Sequence, residues 1–193
     1  MSKERVAYNA FCEETIKIMT DPGLLLVSVD AAGRANPMAI GWGTIGVIWG
    51  KPIFCVLVRP SRFTHRLIEQ SGDFTVNVPT PDLREQVMYC GTYSGRDEDK
   101  FAKTGLTPTP SLFVRSPVIE ECPVQYECKV VHKNEVLPAN LNGEIRQSAY
   151  ASGDYHTIYF GEILAVHADM EQASQLRKMI DTARTAEVPP DRK

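Results

Sequence analysis

The sequence predicts a mainly β protein, an antiparallel barrel crossed by a few connecting helices. Three observations carry this. Six short runs read as strands, by apolar content or by period-two alternation. They are not interleaved with helices in the regular βαβ rhythm of a doubly wound sheet. The chain of 193 residues shows no internal repeat, low-complexity segment or linker, so residues 1–193 are expected to form a single domain.

In chain order, residues 24–30 (LLLVSVD) form the first strand and lead into a hairpin-like turn at Ala31-Ala32-Gly33-Arg34. Residues 39–49 (AIGWGTIGVIW) are apolar and glycine-rich, and Gly50-Lys51-Pro52 punctuates them. Residues 53–58 (IFCVLV) are apolar throughout, as in a strand buried on both faces. A helix is expected over 61–70, with Ser61 as N-cap and Gly72 as the stop. Phe74-Thr75-Val76-Asn77-Val78 alternates and stops at Pro79. Further helices are expected over 81–89 and over 97–104, the latter capped by Asp97 and ended by Gly105. Residues 124–132 and 157–166 complete the strands. Between them, 133–155 is polar and weakly patterned, a long excursion of the kind that covers a site or a partner. Residues 173–186 place Leu176, Met179, Ile180 and Ala183 at helical spacing.

Composition narrows the function classes. The hydrophobic fraction of 43% and charged fraction of 23% are ordinary for a globular protein. A net charge of -3 gives no global basic field for nucleic acid or an anionic membrane, so any anion site must be a local cluster. No signal-peptide core and no run of about 20 apolar residues is present, so neither secretion nor a membrane span is expected. Five scattered cysteines without a CxxC predict neither a disulfide framework nor a zinc site, and a reducing cytoplasm is the expected location. Cys55 and Cys128 lie in apolar strands and read as inert, leaving Cys90 as the thiol to watch. The four histidines show no metal-ligand spacing, and no metal is expected.

One motif is a decoy. Gly41-Trp42-Gly43-Thr44-Ile45-Gly46 matches G-x-G-x-x-G, but Val47-Ile48-Trp49 follows, and Gly50 and Pro52 prevent a helix from opening there. The position for a ribose-binding acid about 20 residues on holds Pro60, Ser61 and Arg62. The segment reads instead as a glycine-rich strand that bends or admits something flat against its backbone.

Two segments could hold an anion. In Arg59-Pro60-Ser61-Arg62-Phe63-Thr64-His65-Arg66, three arginines crowd a helix start with no acid before Glu69. They oppose the positive end of the helix dipole unless an anion compensates, and Ser61 and Thr64 add hydroxyls, as in a phosphate site. The alternative is a solvated basic helix start with an ordinary serine cap. In Ser94-Gly95-Arg96-Asp97-Glu98-Asp99-Lys100-Phe101, Arg96 can fork onto a phosphate beside Lys100. The alternative there is a surface loop with local ion pairs. The two segments could serve one phosphate or two separate anions.

Together these segments resemble the flavin-reductase-like family, most closely its flavoredoxin-like branch. The resemblance rests on Asn36-Pro37-Met38-Ala39 with Trp42-Gly43, on Val58-Arg59-Pro60-Ser61-Arg62-Phe63-Thr64 and on Phe74-Thr75-Val76-Asn77-Val78-Pro79. It rests also on the string Ser94 to Phe101, on Thr104-Gly105-Leu106-Thr107-Pro108, on Cys128 in a Glu-Cys strand, and on His156-Thr157-Ile158-Tyr159-Phe160-Gly161-Glu162-Ile163. It runs from about residue 20 to 169.

The resemblance implies a six-stranded antiparallel Greek-key split β-barrel that binds FMN, as a homodimer with FMN near the subunit interface. Carried over by position, it implies that Asn36 and Trp42 border the flavin ring or its ribityl chain. Ser61, Arg62 and Thr64 lie at the phosphate with Lys100 and Arg96 near, and His156 approaches the flavin. Met38, Gly43, Arg59 and Ser94 complete the implied cofactor set, with His156 as the catalytic residue. The implied function is an oxidoreductase that passes electrons from a donor such as NAD(P)H through FMN to a flavin, ferric or redox-protein acceptor. The alternatives are a flavoredoxin-type carrier without reductase activity of its own, and a barrel that uses its cleft for another ligand such as haem. The chain departs from the family in two places: residues 188–193 hold no aromatic to reach a flavin, and the 133–155 excursion is long.

Overall fold

Period-two burial sets the architecture of the computed structural model, which describes residues 3–187. In β2 (Leu24–Val29), Leu24 and Leu26 enter one apolar cluster while Leu25 and Val27 enter a second. The first cluster fills a curled sheet with Phe54, Phe74, Tyr126 and Tyr159, and Phe54 stacks on Tyr126 at 5.4 Å. The second, with Val87, Cys90, Phe101 and Ile119, joins the outer face of that sheet to two helices, α3 (Arg84–Thr92) and α4 (Lys100–Thr104).

The sheet also contains β1 (Glu4–Val6), β3 (Ala35–Ile40), β4 (Gly43–Ile48), β5 (Lys51–Val58), β6 (Asp73–Val78), β9 (Val124–Glu135) and β10 (Thr157–Ala168). Its order is β3-β2-β6-β9-β10-β5-β4, with β1 added on β10 and every pair antiparallel. β7 (Pro108–Thr109) and β8 (Val118–Ile119) form a separate pair. The terminal strands β3 and β4 are separated in sequence only by Gly41 and Trp42. That connection spans at most about 11 Å, so the sheet curls until its ends approach at one corner while their ladders stay unpaired. The fold is therefore a split barrel, and its open seam lies at Gly41-Trp42.

Tight turns hold the seam strands in register. Trp49 and Gly50, at φ 55° and 70°, make the two-residue turn between β4 and β5. The β2–β3 turn is tied by the Asp30 carboxylate, which accepts from the Ala32 and Arg34 amides. β10 shifts register against β9 at Phe160/Gly161 and at Ile163/Ala165. A Cβ on Gly161 would lie 2.5 Å from Phe74 Cζ, so this strand takes glycine to let the ring pack.

All six expected strands are present. The count rises to eight because residues 39–49 divide into β3 and β4 across the seam and because β1 is added. The helix expected from Ser61 is α2 (Phe63–Ser71), with Arg62 at its N-cap position and Gly72 ending it at φ 69°. Ser61 does not cap it, because Asp154 takes the Ser61 hydroxyl. Asp97 does not cap α4; Asp99 does, accepting from the Ala102 amide. Not expected were β1, the short pair β7 and β8, α1 (Cys12–Thr20), whose Ile18 and Met19 join the barrel core, and α5 (Gly143–Ala149). β9 runs on to Glu135, so the excursion starts later than expected. The C-terminal helix α6 spans Met170–Glu187 and buries Leu176 and Ile180. The Met179 and Ala183 side chains and the aromatic-free stretch 188–193 lie outside the described residues.

Candidate functional site

Two adjoining cavities open at the seam, sharing Met38 and Arg62 in their walls. The first, about 80 Å³, gathers Asn36 from β3, Ser61, Arg62 and Thr64 from the start of α2, and Ser94, Gly95, Arg96 and Lys100 from the segment that leads into α4. Both segments that could hold an anion thus converge on one place. Among the described residues no carboxylate lines this cavity.

Its donors are aimed by neighbours. Asn36 Nδ2 donates to Thr64 Oγ1 at 2.9 Å, so the buried Thr64 hydroxyl accepts there and keeps its own proton for another partner. The Phe63 and Thr64 amides at the start of α2 have no acceptor among the described residues. These are the unpaired N–H groups of a helix N-terminus. Lys100 is 4% exposed, and its ammonium donates to the carbonyls of Pro37 at 2.9 Å and Cys90 at 2.8 Å, leaving one of three donors. Burial draws its pKa below the usual lysine value. Arg96 is fixed by its bond to the Ser61 carbonyl at 2.9 Å, and the Arg96 amide donates to Ser94 Oγ. Gly95 must be glycine, since a Cβ there would lie 1.9 Å from Asn36 Oδ1.

The second cavity, about 210 Å³, is more open: Met38, Ala39, Ile40, Gly41, Trp42 and Leu57 line it with Arg59, Arg62 and His156. Trp42 stays 46% exposed at the seam, its ring 5.1 Å from that of His156. His156 is buried, and desolvation first, then the Arg59 charge, lower its pKa to about 4. Its imidazole is therefore neutral near pH 7.

The structure brings together Asn36, Met38, Ser61, Arg62, Thr64, Ser94, Arg96 and Lys100 in the first cavity, and Trp42, Arg59 and His156 with Met38 and Arg62 in the second. Three of the expected residues take different roles. Gly43 lines neither cavity; it faces β5 and α1, where a Cβ would lie 2.7 Å from the Cys55 carbonyl and 3.3 Å from Met19 Sδ. The Arg59 guanidinium is committed to the carbonyls of Ala149, Gly153 and Asp154 and lies over the Tyr150 ring. The Ser61 hydroxyl and amide both donate to the Asp154 carboxylate. Cys90 is no reactive thiol, because burial pushes its pKa up to about 11.

Sequence reasoning missed Tyr150, Asp154, Leu57 and Tyr93. Tyr150 and Asp154 belong to the excursion, which folds back on Arg59 and Ser61 and sets Tyr150 against His156 at the second cavity. Two signals were present: an aromatic pair at Tyr150 and Tyr155, and Gly153 before Asp154, both at positive φ.

Comparison with known proteins shows the family and the fold. The sequence profile of the flavin reductase like domain matches residues 19–184. Flavoredoxin of Desulfovibrio vulgaris (Miyazaki F) superposes with a TM-score of 0.63 at 33% identity, covering 77% of this chain and 69% of that one. Flavoredoxin from Methanosarcina acetivorans gives a TM-score of 0.60 at 30% identity, covering 77% and 68%. An uncharacterized protein of Archaeoglobus fulgidus is 35% identical over 142 residues, 73% of this chain and 70% of the relative.

Proposed function

Since the chain belongs to the flavin reductase like family, we propose that it binds FMN as a single domain, with the phosphate in the donor cavity and the ring system in the second cavity at the seam. One observation carries this reading: an acid-free set of Arg62, Arg96, Lys100, Thr64 and two free helix amides adjoins a slot walled by Met38, Ile40, Gly41 and Trp42. The donor set suits a dianion, because charge-assisted donors surround it and an anion beside the buried Lys100 favours the charged form that burial disfavours. Gly41 and the exposed edge of Trp42 suit a flat ring.

FMN, when bound, supplies reversible transfer of one or two electrons. The protein then has three tasks. Arg62, Arg96 and Lys100 neutralise the phosphate, while Asn36 turns the Thr64 proton toward it. Trp42 and Met38 exclude water from the ring. His156, neutral at pH 7, offers a hydrogen-bonding nitrogen to the cofactor or donor. The activity is transfer of electrons from a donor such as NADH or NADPH to a flavin, ferric or protein acceptor. The similarity to two flavoredoxins supports a second reading, an electron carrier between protein partners without its own NAD(P)H step.

The test is the visible spectrum of purified protein, then FMN titration, then rapid mixing of the holoprotein with NADH and with NADPH. Fast bleaching identifies the reductase, and bleaching only by a reduced partner protein identifies the carrier. Colourless protein that leaves the FMN spectrum unchanged sinks both. The patch of Val47, Trp49, His132 and Phe160, at the end of β4 away from Trp42, is the surface we assign to a homodimer. Light scattering at micromolar concentration checks it. Five free thiols suit a cytoplasmic location.

A further inference from the structure

We propose that Tyr150 is a positioning residue that fixes His156 as the Nε2–H tautomer, so that His156 presents a hydrogen-bond donor, not an acceptor, to the cavity at the seam. The Tyr150 hydroxyl lies 2.8 Å from His156 Nδ1. Two arrangements fit that distance: the phenol donates to Nδ1, or Nδ1–H donates to the phenol. In the second, the phenol proton needs an acceptor of its own. None exists among the described residues, and Tyr150 is only 5% exposed. Leaving a buried hydroxyl proton unpaired is costly, so the phenol donates. The imidazole is neutral and carries one proton, which must then sit on Nε2. Nε2 has no partner among the described residues and is not sealed from solvent.

Tyr150 is held too firmly to trade roles. Tyr155 stacks on it at 4.8 Å and Trp42 meets it edge-on at 6.4 Å. The Arg59 guanidinium lies 5.1 Å from its ring centre while its nitrogens grip the carbonyls of Ala149, Gly153 and Asp154. The charged groups that act on His156 are Arg59, Arg62 and Asp154. α5, none of whose residues is buried, ends one residue before Tyr150 and serves to present it. That the donor serves a flavin rests on the function proposed above; the tautomer itself does not.

The experiment reads the two separately. Long-range ¹H–¹⁵N spectra of the cofactor-free protein at pH 7.5, with His156→Gln to assign the signal, report the tautomer directly. Wild type should show a protonated Nε2 and a bare Nδ1, and Tyr150→Phe should raise the Nδ1–H population severalfold. A wild-type Nδ1–H tautomer, or a population unchanged by Tyr150→Phe, overturns the inference. FMN titration follows: Tyr150→Phe should weaken FMN about three- to tenfold, the worth of one hydrogen bond. Unchanged FMN affinity overturns the assignment of the donor to the cofactor. The expected tautomer with no FMN binding in wild type refutes the flavin reading and leaves the tautomer assignment supported.

Discussion

Gly95→Ala tests whether the two halves of the donor cavity are locked together. The added Cβ would lie 1.9 Å from Asn36 Oδ1, 2.6 Å from Asn36 Cγ and 3.0 Å from a Phe63 ring carbon. Asn36 cannot simply rotate, because its Nδ2 holds Thr64 Oγ1 at 2.9 Å and the residue is buried. Either that hydrogen bond is lost, at about 1 kcal/mol, or the segment carrying Ser94 and Arg96 is pushed off β3, an overpacking cost of about 1–3 kcal/mol. Urea unfolding should therefore show a loss of about 1–3 kcal/mol, and FMN titration a loss of affinity of at least about tenfold. Asn36→Ala alone removes the obstruction, so the double variant should recover part of the stability lost by Gly95→Ala, giving a coupling energy between the two sites. Equal stability and equal FMN affinity for Gly95→Ala, or strict additivity in the cycle, refutes the locked arrangement.

Gly161→Ala separates fold from site: its Cβ would lie 2.5 Å from Phe74 Cζ and 2.8 Å from Cys128 Cβ, so unfolding should cost about 1–3 kcal/mol less while FMN affinity per folded molecule stays unchanged. Lys100→Met leaves the buried Pro37 and Cys90 carbonyls without their donor, so it should lower stability by about 2–4 kcal/mol and weaken FMN and inorganic phosphate together. His156 predicts a pH dependence. Its folded pKa of about 4 lies below the usual 6.5, so the unfolded chain binds the proton first. Its contribution is therefore complete above about pH 6.5 and lost as pH falls toward 4. The gap corresponds to at most about 3.4 kcal/mol, which water at the cavity mouth screens to about 1–2. Urea midpoints between pH 8 and 4 should fall more steeply for wild type than for His156→Gln.

The six strands were legible because their signals are local. Alternation in Phe74-Thr75-Val76-Asn77-Val78 and the apolar run at 53–58 record which faces are buried. The division at Gly41-Trp42 was not legible, since whether the chain continues one strand or crosses to the far end of a sheet depends on curl accumulated over seven strands. Helix starts slipped for a related reason. Ser61 and Asp97 are good capping types by residue, yet Ser61 is taken by Asp154, which is 93 residues away, and Asp99 sits closer to the turn that α4 needs.

The anion side of the site was legible for the opposite reason: its charge is locally uncompensated. Three arginines in a helix start with no nearby acid state an electrostatic deficit, and the fold answers it in two ways. Arg62 and Arg96 remain at the donor cavity, whereas Arg59 turns to the carbonyls that end the excursion. Asp154 reaches the same helix start from the excursion, through Ser61. The residue pattern registers that something must meet these charges, but it cannot apportion them between a ligand and the chain itself. That division decides the site. If Arg59 also faced the donor cavity, the excursion would lose its hold on the guanidinium at Ala149, Gly153 and Asp154, and Tyr150 would lose the cation over its ring beside His156. The arginine withdrawn from the anion is the one that holds Tyr150 against His156.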